Sequence, residues 1–216
     1  MGKGFKALAL GALLVTPLLA EAALVDRGGG LIYDTTLNIT WLQDANYAKT
    51  SGYDSDGRMR WPSAKAWADS LSFGGYDDWR LPSALNRDGS GPCGTVSPWG
   101  CDDSELGYMF YKNMGATKYH SILSGSNTAN LALFSNLEAN GIGGYWFGTE
   151  YEPVPTDAWV FWTENGYQQA YDKDGGHYSW AVRDGDVVPA VPLPAAGWLL
   201  LSGLAGLGFL GRRRKH

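Results

Sequence analysis

Two cysteines, three histidines and 22 carboxylates carry most of the chemical reach of this chain, and their spacing narrows what they could do. Cys93 and Cys101 have seven residues between them, and the nearest histidine is His120. A metal centre would call for more cysteine or histidine close by, whereas an isolated pair in an exported chain usually forms a disulfide. Such a bond would staple a Gly/Pro/Ser-rich loop and leave no thiolate nucleophile. His120 and His177 lie in no motif with a cysteine or serine, and neither HExxH nor GxSxG occurs. The carboxylates could furnish an acid/base pair, but so many in one domain will form close pairs by chance. These residues point away from an enzyme.

Two segments, Asp54-Ser55-Asp56-Gly57 and Asp172-Lys173-Asp174-Gly175, read D-x-D-G. Calcium loops use oxygens spaced in this way but need six to eight ligands, and neither segment completes an EF-hand. Asx-turn chemistry accounts for both, so no metal and no cofactor is expected, calcium being the one ion the segments would suit. Ten tryptophans are many for this length. On a strand through residues 158–162, Trp159 and Trp162 point to opposite faces, so one face could present a ring to a ligand. Trp146, Trp159 and Trp162 are the candidate ligand-facing aromatics, although filling a core poor in Leu and Ile is the commoner use of such rings.

The densest local signal is Gly74-Gly75-Tyr76-Asp77-Asp78-Trp79-Arg80-Leu81-Pro82. Its Trp79, Arg80, Leu81 and Pro82 form a structural hub. An arginine between two large apolar residues will be half-buried and must find an anion, with Asp77, Asp78 and Asp184 as candidates.

The elements around the hub follow from periodicity. Strands are expected at residues 31–34 and 38–42. Ala64, Trp67, Ala68 and Leu71 make one helical stripe, with Pro62 in the first turn and Gly74-Gly75 at the C-terminus. Asp102 and Glu105 fit a capping box for a second helix that ends near Gly115. Residues 119–139 read as irregular. Strands at 145–150, 158–162 and 167–171 follow, the last two joined by a turn at Glu164-Asn165-Gly166, and a final strand runs over 178–183. The glycines at 28–30 read as a linker.

Both ends read as addresses. Lys3 and Lys6, the apolar residues 7–19 and Ala20-Glu21-Ala22 form a signal peptide over residues 1–22, with a retained anchor as the alternative. Residues 23–186 form the domain, and 187–194 are a spacer holding Val191-Pro192-Leu193-Pro194. Residues 195–216 are a transmembrane helix and basic tail with Arg212, Arg213 and Arg214. The sixteen largely apolar residues 195–210 would span about 24 Å, and the basic cluster would stay cytoplasmic. Without both ends the chain keeps 11 basic against 21 acidic residues, a balance near −10 that argues against nucleic acid and polyanions.

The tail resembles a PEP-CTERM sorting signal: proline motif, apolar helix and arginine cluster in order. The resemblance implies signal peptidase and exosortase as partners during export, processing near the proline motif, and an inner-membrane-anchored precursor that becomes a surface or extracellular protein. A tail anchor that is never cut is the plainer alternative. Residues 28–186 resemble the family named for the C-terminal domain of the Lcl collagen-like adhesin. The match runs through Gly30-Leu31-Ile32-Tyr33-Asp34, residues 37–42, Ala66-Trp67-Ala68, residues 74–82, Glu105-Leu106, Tyr145-Trp146, Thr149-Glu150 and Trp180-Ala181-Val182-Arg183. Residues 83–104 depart from it as an insert that carries both cysteines. Trp-Arg-Leu-Pro before a helix is also similar to the core motif of formylglycine-generating-enzyme-like domains. Both resemblances imply an α+β, C-type-lectin-like fold with two helices and a curled antiparallel sheet. The expected function is a non-catalytic module for polysaccharide or protein, with exopolysaccharide a candidate partner; the alternatives are a purely structural matrix role and, behind it, an enzyme on a formylglycine-generating-enzyme-like fold. The adhesin that names the family binds sulfated glycans; the acidity of this domain argues against that ligand here.

Overall fold

The computed structural model describes residues 24–95 and 97–187. The segments expected to be a signal peptide (residues 1–22), a sorting motif (191–194) and a transmembrane tail (195–216) lie outside the described residues. Among the described residues no helix is long and apolar enough to cross a membrane.

The domain is mixed α/β, with few helices and a curled sheet in two parts. The chain opens with β1 (Leu24–Gly28), β2 (Leu31–Asp34) and β3 (Ile39–Leu42), then α1 (Tyr47–Thr50), β4 (Arg58–Met59) and α2 (Trp61–Asp69). After a long connection come α3 (Glu105–Tyr108), which runs on as a π-helical turn over Met109–Asn113, a 3-10 turn at Ile122–Ser124, and α4 (Thr128–Leu131). β5 (Tyr145–Glu150), β6 (Asp157–Trp162), β7 (Tyr167–Asp172), β8 (His177–Tyr178) and β9 (Val182–Asp184) complete it. One sheet has the order β1-β2-β3-β9 and the other β4-β8-β5-β6-β7. The β5/β8 pair is parallel and the other strand pairs are antiparallel.

Several expectations hold, and several are corrected for physical reasons. The stripe on α2 is buried at Ala64, Trp67 and Ala68. The helix stops at Asp69, however, and Gly74-Gly75 serves another purpose. Both glycines have positive φ, and Phe73 and Tyr76 exchange backbone hydrogen bonds across them, so the pair is a tight hairpin turn. Gly28, Gly29 and Gly30, read as a linker, likewise turn β1 into β2. The N-cap of α3 is Ser104, whose hydroxyl accepts from the Gly107 amide; Asp102 instead pairs with Lys112. The expected final strand is two strands in different sheets. At Ser179–Ala181 the chain crosses between them because Trp180 must enter the core, where it packs on Trp41, Phe134 and Tyr145 and donates to Leu42 O. Val187, placed in the spacer by sequence, is buried in the core.

Indoles cross-link this core. Trp146 donates to Met59 O, Trp61 to Phe147 O and Trp180 to Leu42 O, each joining segments far apart in sequence. Each ring thus adds apolar area and satisfies its one donor.

The hub adds a charged cross-link. Arg80 exchanges backbone hydrogen bonds with Val182, extending the first sheet beyond β9. Its guanidinium is bidentate to Glu105, at 2.9 and 2.7 Å, and reaches Asp184 at 2.5 Å. Burial opposes the charge, but hydrogen bonds and charges from Glu105 and Asp184 outweigh it and hold the Arg80 pKa above the usual arginine range. Of the carboxylates expected to serve Arg80, only Asp184 does. Asp78 pairs instead with Arg183, whose guanidinium lies over the Tyr76 ring, and Asp77 is exposed.

His177 occupies the seam where β8 meets β4 and β5. Its Nδ1 accepts from the Gly144 amide, and Trp146, Trp162 and Tyr171 surround its ring. Burial, with a smaller contribution from Arg58, pushes its pKa down to about 4.

Two predictions follow from these contacts. Arg80→Ala leaves Glu105 half-buried beside Asp184 without its cation and should cost about 3 kcal/mol in urea unfolding; unchanged stability would remove Arg80 from its structural role. For His177, the unfolded chain takes up a proton below about pH 6.5 and the folded chain only near 4. Its contribution is therefore complete above pH 6.5 and is lost as pH falls to 4, by about 3 kcal/mol. Stability measured between these limits should slope less steeply in His177→Gln than in the parent, and parallel slopes would refute the assignment.

Candidate functional site

The structure brings the aromatic sheet and the cysteine-bearing insert together. After Pro82 the chain is pinned by Ser83 N–H on Glu105 and by Ala84 N–H on the Thr149 hydroxyl. It then leaves as the insert and returns to Ser104. Arg87 pairs with Asp103 at 2.6 Å and lies over the Tyr108 ring, closing the base of the excursion. Cys93 and Cys101 are joined by a disulfide, as the sequence leads one to expect.

Gln168 on β7 ties the insert to the sheet at three points. It is fully buried; its Nε2 donates to Cys93 O and its Oε1 accepts from the Ser104 hydroxyl, each at 2.8 Å. Its backbone N–H donates to Pro98 O, also at 2.8 Å. Gly94 then passes so close to the sheet that a Cβ there would stand 2.7 Å from Gln168 O and 2.8 Å from the Trp159 ring. A side chain at residue 94 would lift the insert off. Trp99 packs on Tyr167 at 4.9 Å and on the exposed Tyr119 at 4.4 Å.

Between insert and sheet lies a groove made of two adjoining clefts. The first, about 480 Å³, lies between Pro92 and Thr95 of the insert and residues 149–153. The second, about 330 Å³, runs between Gly94 and Pro98 on one side and Asp157, Tyr167 and Gln169 on the other. Thr95, Tyr151 and the edge of Trp159 line both, and Tyr151 stands perpendicular to the Trp159 ring. The polar groups on the walls are hydroxyls, an amide and the carboxylates of Glu150, Glu152 and Asp157. These groups can hydrogen-bond a polar ligand, and the rings can stack on one.

The expected ligand-facing tryptophans need correcting. Trp146 is fully buried, and Trp159 is 2% exposed beneath Gly94 and Tyr151. Trp162 is half-buried against Tyr171 and His177, away from the groove. The face of β6 that could have been open is covered by the insert and, at Phe161, by Phe110. The accessible rings are Tyr151 and Tyr167, which no sequence signal separates from core aromatics. Gln168 carried one clue, an amide among the aromatics just after the hairpin turn. Trp79, Leu81 and Pro82 are buried, and Pro82 O accepts from Gly148 N–H, so the hub braces the groove from behind.

The D-x-D-G segments are turns. Asp54 Oδ1 accepts from the amides of Asp56 and Gly57, and Asp172 Oδ1 from that of Asp174. The backbone amide and guanidinium of Arg58 hold the Asp56 carboxyl below the usual range. Among the described residues no group of three or more His, Cys, Asp or Glu is placed to hold a metal ion. His120 is exposed and far in sequence from the disulfide, and both cysteines are oxidised.

Comparison with protein families finds no family that matches this chain, and comparison with curated proteins finds no match either.

The anchoring role of Gln168 is testable. Gln168→Leu strands Cys93 O and the Ser104 hydroxyl and should cost about 3 kcal/mol. Limited proteolysis mapped by mass should then cut within residues 85–100 at least tenfold faster than in the parent. Equal protease resistance would show that the insert is held by other means.

Proposed function

We propose that this chain is an exported, exosortase-processed protein of the cell surface or extracellular matrix, and that its domain is a non-catalytic, C-type-lectin-like module that binds polysaccharide. The observation that carries the binding reading is the groove: an insert clamped by Gln168 over an aromatic sheet, with tyrosine rings and hydrogen-bonding side chains along its walls. The few helices and curled sheet are compatible with the lectin-like architecture that the resemblance implies. Export rests on the signal peptide and on the proline motif, apolar run and arginine cluster of the tail. The burial of Trp146 and Trp159 favours a second reading, a structural matrix component whose rings serve packing alone.

Protein released from the cell surface should have an intact mass that begins near residue 23 and ends near Pro192–Pro194. On a saccharide array it should bind saturably, with and without calcium, and Tyr151→Ala should weaken binding at least tenfold. A mass that extends to His216 would sink the processing step. Absence of binding to every saccharide would leave the structural reading.

A further inference from the structure

The charges along the groove name a ligand class. Neither cleft is lined by a lysine, arginine or histidine. Glu150 and Glu152 stand in the first and Asp157 in the second. Two neighbouring clefts differ: Arg87 lines one, and Lys65 and Arg80 line the other. The nearest cation, Lys173, is drawn off by Glu150 at 3.2 Å, by Pro155 O at 2.6 Å and by the Trp61 ring face. It offsets one of the three carboxylates. Among the described residues the Glu152 carboxylate has no partner, and the Asp157 carboxylate has only the Thr156 hydroxyl.

Building on the binding reading above, we propose that the groove takes a linear amino-sugar polymer with free ammonium groups. A chain long enough to occupy both clefts meets a carboxylate in each. In between it crosses Tyr151 and Thr95, which both clefts share. Hydroxyls at Thr95 and Thr149, the Gln169 amide and the tyrosine rings suit the hydroxyls and C–H faces of a pyranose. The carboxylates suit its ammonium groups. The domain's balance of 11 basic to 21 acidic residues would draw such a chain in and repel sulfated or uronic-acid polymers.

The test is titration of the full chain in mild detergent with four probes: a glucosamine hexamer, its N-acetylated counterpart, a heparin hexasaccharide and hexalysine. The glucosamine hexamer should bind at least tenfold more tightly than the other three. Raising salt from about 50 mM to about 500 mM should weaken it at least tenfold. The Glu150→Gln/Glu152→Gln double variant should lose at least tenfold. Asp157→Asn should lose affinity too, without touching the Lys173 pair; both variants should unfold at the parent temperature. Equal binding of the N-acetylated hexamer would overturn the charge assignment while the polysaccharide reading stands. Hexalysine binding as tightly as glucosamine would replace the sugar with a basic peptide. If no saccharide binds and Tyr151→Ala changes nothing, both readings fall.

Discussion

A guanidinium taken out of water must be surrounded by anions, and in this domain one such group determines how distant segments meet. Arg80 sits between the buried Trp79 and Leu81, and its own side chain is half-buried. It cannot lose its proton to escape the desolvation cost, so carboxylates must be brought to it. Glu105 comes from the start of α3 and Asp184 from the end of β9. Glu105 also takes the Ser83 amide, so the insert departs and returns at the same carboxylate. One charge therefore fixes the hub strand, the last strand, the short helix and both roots of the insert.

The indoles do the same for the apolar interior. A buried indole brings one donor that must be satisfied, and here the acceptors are backbone carbonyls of other segments. The rings are fixed in orientation as well as position, which lets a core with few Leu and Ile side chains be specific. Trp41 and Trp162 are exceptions: the Nε1 of each finds no acceptor among the described residues, and the rings are held by packing, Trp41 on Trp180 and Trp162 on Tyr171 and His177.

What the sequence reveals depends on the range of the interaction. The α2 stripe and the Asn165-Gly166 hairpin are local, and both read directly from spacing. Gly74-Gly75 reads as a helix end, although a pair of glycines suits a tight turn equally well, and only the pairing of Phe73 with Tyr76 shows the turn. Residues 178–183 read as one strand since every side chain suits a sheet; that Trp180 belongs to the space between two sheets is a tertiary fact. Glu105 was visible as a helix-start residue, but its use by Arg80, 25 positions away, was not. The tryptophans misled for a similar reason. Two-residue alternation correctly puts rings on both faces of β6, but what covers the face with Trp159 and Phe161 is contributed by the insert and by the turn after α3.

The insert shows how a site can be added to such a scaffold without remaking it. Its covalent link joins residues eight apart and so restrains only its own tip. The disulfide gives the insert a shape but cannot attach it to the sheet. Attachment falls to Gln168, whose amide can donate and accept at once and so ties Cys93 to Ser104 through the β7 edge. An ionised carboxylate there could not donate to Cys93 O, and an apolar side chain could satisfy neither partner. Gly94 lets the insert lie against the sheet over Gln168 and Trp159, and the two clefts that stay open beside that contact are the groove. The buried tryptophan is therefore part of the surface after all: it forms the floor on which the insert rests, while the tyrosines at its edges carry the exposure.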